Sequence, residues 1–67
     1  MPRQRFVILC AFGCHYFTLL KEGSQEEPKQ FASIIDALTF ARFHHSQEID
    51  RVAVLSPFGD VMMETAI

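Results

Sequence analysis

Seven apolar residues stand in an unbroken row from Phe6 to Phe12 (Phe-Val-Ile-Leu-Cys-Ala-Phe). Successive side chains of a strand point to opposite faces. Phe6, Ile8 and Cys10 would therefore line one side and Val7, Leu9 and Ala11 the other, which asks for an interior strand covered on both faces. A chain of 67 residues can build only one core. A single domain over residues 1–67 is expected, with this segment at its centre. Arg3 and Arg5 ahead of the row, and the small Ala11 and Gly13 near its end, also allow a secretion signal with a cut before Cys14. The β-rich composition and the bend residue Gly13 favour a hairpin instead, as does the loss of the most apolar strand candidate that removing residues 1–13 would cause; the run is also shorter than the ~20 residues of a membrane span. No membrane partner is expected.

From Arg5 the first strand runs to Phe12, and His15 to Lys21 returns as the second. The polar stretch Glu22 to Gln30 carries Gly23 and Pro28 without apolar period and reads as a loop. Ser33 then stands where an N-cap belongs, with Asp36 three residues on. A helix follows from Ile34 to about Gln47. At 100° per residue Ile34, Ala37, Leu38 and Ala41 share one side, and Asp36, Thr39, Phe43 and Gln47 the other. Asp50 to Ser56 is the third strand, Ser56-Pro57-Phe58-Gly59 a turn, and Asp60 to Ala66 the fourth strand. The expected fold class is α+β: ββαββ, a four-stranded antiparallel sheet of order 2-1-3-4 with one helix packed on one face.

One helix of about 14 residues, ~21 Å long, blankets one side of such a sheet. Strands one and three are apolar on both sides, so a bare patch would remain that monomers rarely tolerate. The economical cover is a second copy of the chain. A homodimer is expected, with Phe6, Ile8, Leu9, Val52, Val54 and Met63 as its self-association interface. Whether the copies meet face to face or edge to edge stays open. On the helix, Phe43 and Phe40 fall outside the core stripe or at its border beside Arg42. Those three residues form a possible surface for another protein.

Six Lys+Arg against eight Asp+Glu give a net charge of −2, which makes a nucleic-acid partner a secondary reading, resting on an exposed sheet face with Phe and Arg. Cys10, Cys14, His15, His44 and His45 are the metal-capable residues, but their spacing matches no common zinc arrangement. A small-ligand or metal-binding module built on Cys10, Cys14 and His15 is the third reading; no metal site and no cofactor are expected. Adjacent Cys14 and His15 would point apart on a strand, the carboxylates are scattered, and no phosphate loop or hydrolase motif occurs. Enzymatic activity is not expected. Two cysteines are too few for a disulfide framework, which favours a reducing cytoplasmic setting.

The segments Ser33-Ile-Ile-Asp-Ala-Leu-Thr-Phe-Ala-Arg42 and Arg51-Val-Ala-Val-Leu-Ser-Pro-Phe-Gly-Asp-Val61 resemble a family of small uncharacterised bacterial ββαββ domains. The resemblance spans roughly residues 15 to 66 and implies an α+β fold, with no established activity attached. The first hairpin departs from the pattern by being more apolar, and Phe17 stands near the place of a frequent tryptophan.

Overall fold

The computed structural model describes residues 4–44 and 49–67, and of Cys14 the backbone. Its element order is β1 (Gln4–Cys10), β2 (Phe17–Lys21), β3 (Lys29–Phe31), α1 (Ile34–Phe43), β4 (Ile49–Leu55) and β5 (Val61–Ala66). Between β1 and β2 the chain turns through a short 3-10 segment, Phe12–Cys14, where Gly13 adopts a φ of +79°. That left-handed backbone strains any residue with a Cβ, so the bend favours glycine; a Cβ there would also crowd the exposed His15 imidazole at 2.9 Å. The class is α+β with one helix, as expected.

The sheet departs from expectation in strand number, order and sense. It has five strands in the order β3-β2-β1-β4-β5, and β1 runs parallel to β4 while the other neighbours are antiparallel. The cause is β3, which lies inside the segment read as loop plus the residue Phe31. Lys29–Phe31 folds back on β2, pairing Phe17 with Phe31 and Leu19 with Lys29. That added reversal turns the chain round before the helix, so α1 carries it back and β4 starts at the same end as β1. A helical crossover of this kind is how parallel neighbours are joined.

The helix begins where its cap lies. The Asp36 backbone N–H donates to Ser33 Oγ at 3.2 Å, and Asp36 itself sits in the positive first turn. Ala37 and Ala41 are fully buried, and their small side chains let the helix axis come close to the sheet. α1 ends at Phe43 with His44 as its C-cap, so the expected helical run through His44 stops one residue short, and residues 45–47 of the expected extension lie outside the described set. Beneath it Phe6, Ile8, Leu19, Ile49, Val52 and Val54 form the core, with Phe17, Phe31, Ile34, Leu38, Phe40 and Ile67 packed around them.

The β4–β5 connection is the turn that Pro57 and Gly59 suggest. The Gly59 N–H donates to the Ser56 carbonyl at 2.9 Å with Gly59 at a φ of +91°. Ser56 Oγ accepts from the N–H groups of Phe58 and Asp60, which ties the loop to its own base. Among the described residues no helix is long and apolar enough to cross a membrane.

Candidate interaction surface

Strand parity decides which apolar residues are available. Phe6 and Ile8 on β1 lie level with Val52 and Val54 on β4, and all four face α1, no more than 5% exposed. Of the interface expected from sequence, these four are therefore taken up by the core of a single chain. They are not presented to a second copy. Leu9 is half-buried on the opposite, helix-free face, and Met63 on β5 is 43% exposed. The expectation drew residues from both faces because strands β1 and β4 are apolar on both sides.

The helix-free face is better covered than its composition suggests. Val7 and Ala53 lie side by side at its centre, 5% and 0% exposed, ringed by half-buried Leu9, Leu20 and Leu55. At one end a charged network closes it. Arg5 Nε donates to Glu22 Oε2 at 3.1 Å and Arg5 Nη1 to Glu64 Oε1 at 2.7 Å, while Arg51 Nε lies 3.6 Å from the same Glu64 oxygen. The Arg5 hydrogen bond is the main cause holding the Glu64 carboxyl below its ordinary value, and Glu64 and Glu22 in turn raise the Arg5 guanidinium. Arg5 and Arg51 are thus both engaged by carboxylates.

Bulky apolar side chains are exposed elsewhere. All six residues of β5 are exposed, with Val61 at 54%, Met62 at 59% and Met63 at 43%. The helix lies closest to β2 and β3, so the β5 side of the sheet has a groove of about 490 Å³ instead of a cover, with Ile35, Leu38, Val52, Thr65 and Ile67 in its wall. At the end of β1 and β4, Phe12 and Phe58 meet edge to face with ring centroids 5.4 Å apart, beside exposed Tyr16. Sequence reading missed this pair. Its signal was the position of each Phe next to a turn glycine, Gly13 and Gly59, where hairpin loops carry side chains outward.

The helix residues divide. Phe43 is 81% exposed and Arg42 is exposed beside it. Phe40 is instead half-buried, packed on Phe31 at 5.5 Å and stacked on the His44 ring at 4.1 Å, with Lys29 Nζ 5.5 Å from its centroid. Phe40 thus anchors β3 and the helix end, and Phe43 alone of the two rings faces outward.

Cys10 is buried, its Sγ 3.4 Å from the Ala11 carbonyl. The Cys14 side chain and His45 lie outside the described set. Among the described residues no three His, Cys, Asp or Glu side chains gather as a metal site would need. Comparison with known protein families, curated proteins and solved structures finds no match to this chain.

Proposed function

We propose that this chain is a non-enzymatic protein-interaction module that acts as a homodimer in the cytoplasm. The observation that supports it is β5, where Val61, Met62 and Met63 stand exposed in sequence at the margin of a sheet whose helix lies over the other side. A core of 67 residues is small, and covering that margin with a second copy adds apolar burial at ~25 cal/mol per Å². The seat of association moves accordingly, from the helix-side residues to β5. Phe43 and Arg42 lie on the outer face of α1 and are offered to a different protein partner.

The nucleic-acid reading draws less support, because Arg5 and Arg51 sit against Glu22 and Glu64 rather than open to phosphate. Sedimentation equilibrium tests the homodimer. A mass near twice 7.7 kDa at tens of micromolar is the expected result. A monomer up to several hundred micromolar, with the folded circular-dichroism spectrum retained, would remove it.

A further inference from the structure

We propose that the second copy docks on the outer edge of β5, strand against strand and antiparallel, with Thr65 of each copy on the two-fold axis. This rests on the homodimer reading and specifies where and in what register the copies meet.

The backbone parity of β5 is fixed by its inner neighbour. Ile67 N–H donates to the Asp50 carbonyl at 2.8 Å, and the same register sets Thr65 opposite Val52 and Met63 opposite Val54. N–H and C=O of one residue point to the same side and alternate along a strand. Met63, Thr65 and Ile67 therefore turn their backbone groups to β4. Glu64 and Ala66 turn theirs outward, to the margin of the sheet, where among the described residues no further strand follows β5.

The two margins of the sheet differ. β3 is three residues long, follows Pro28 and carries Lys29, all of which discourage strand addition. β5 is six residues long with neither proline nor lysine. Its one irregularity is a register shift between Val54 and Leu55, which displaces the Val61–Met62 end and leaves Met63 onward regular.

Among two-fold antiparallel registers, placing Glu64 on the axis sets two carboxylates directly opposite, which is unfavourable. Placing Met63 there draws the irregular Val61–Met62 end into the ladder. With Thr65 on the axis, Glu64 exchanges both backbone hydrogen bonds with Ala66 of the second copy, and the reverse. Met63 then faces Ile67 of the second copy on the helix side, an apolar pair. Glu64 keeps its bonds to Arg5 and Arg51 and meets only a methyl group. Because this axis stands perpendicular to the sheet, the helices of both copies lie on one face, and the grooves between α1 and β5 open onto a common seam.

Two cysteine substitutions test the register in a Cys14→Ser background, where the remaining native thiol, Cys10, is buried, and a proline substitution tests the edge. Opposed residues of this pair type have Cα atoms about 4.5 Å apart, within disulfide reach. Thr65→Cys should give a covalent dimer under mild oxidation, while Met63→Cys, paired with Ile67 rather than with itself, should give at least tenfold less. Ala66→Pro deletes the outward N–H and leaves the β4 ladder intact, as edge positions allow. It should be monomeric by sedimentation with its circular dichroism retained. A wild-type dimer in which Met63→Cys cross-links as readily as Thr65→Cys overturns the register. A folded Ala66→Pro dimer overturns the edge itself and leaves self-association standing. A wild-type monomer at several hundred micromolar overturns both, and should Ala66→Pro fail to fold, the cysteine pair alone decides.

Discussion

Glu64 takes a hydrogen bond from Arg5 at 2.7 Å and has Arg51 at 3.6 Å, on a side chain still about one-third exposed. The Arg5 bond comes first among the causes that hold its pKa below the ordinary carboxylate value. Folding thus favours the ionised form. Its contribution is complete at pH values above the unfolded pKa and is lost as pH falls through the lowered folded one. Glu64→Gln should melt below the wild type at neutral pH, and the gap should close as pH falls through the lowered folded value, below which both proteins carry an uncharged group. Thermal melts at stepped pH check this; a gap that is constant across the range would refute it. The sequence placed Arg5, Glu22 and Glu64 in three separate segments, and nothing in their spacing joins them. The β2–β1–β4–β5 register does, by setting Phe6 opposite Lys21 and Val52 opposite Thr65, which brings neighbouring charges to one end of one face.

At the scale of elements, the helix was the most legible. Its period, cap and buried stripe are all local, and the Ser33 cap with Ala37 and Ala41 turned inward agrees with the 100° projection. Ser33→Ala removes the acceptor for the Asp36 N–H and should cost about 1 kcal/mol, seen as a lower urea midpoint at unchanged slope, while Ser33→Gly should cost only a few tenths. Equal losses for both would show that the hydroxyl is not acting as the cap. Strand β3 was not legible, because Lys29-Gln30-Phe31 has no alternation to read and follows Pro28. It is a strand because β2 has an unpaired side and the Phe31 ring has Phe40 to pack on at 5.5 Å. That is a tertiary cause. The same three residues reverse the chain and so make β1 and β4 parallel.

For the molecule as a whole, association makes stability depend on concentration, since only the folded state offers β5 as an edge. If the homodimer forms, its melting temperature should rise by roughly 4–6 °C for each tenfold increase in protein concentration above the dissociation constant. Calorimetry over two decades of concentration reads this directly; a flat response would speak for a solitary chain. The candidate interface itself was only partly legible. Of the residues expected there, Met63 lies on exposed β5, Leu9 is half-buried on the helix-free face of β1, and Phe6, Ile8, Val52 and Val54 lie under α1; the aromatic end formed by Phe12 and Phe58 emerges only when two hairpin loops come together.

What the amino-acid order determined alone is whatever a few neighbouring residues decide: the strand-forming row from Phe6, the Ser33 cap, the helix stripe, and the Pro57–Gly59 turn. Those signals arise from torsional preference and hydrogen bonds within one turn of chain, so they survive without a fold around them. Only the tertiary structure decided which side of an all-apolar strand meets the helix, that a third strand reverses the chain, and that β5 carries the uncovered margin. Each of these depends on pairing across long stretches of chain. There two faces of equal hydrophobicity are indistinguishable until register and crossover assign one of them to the helix.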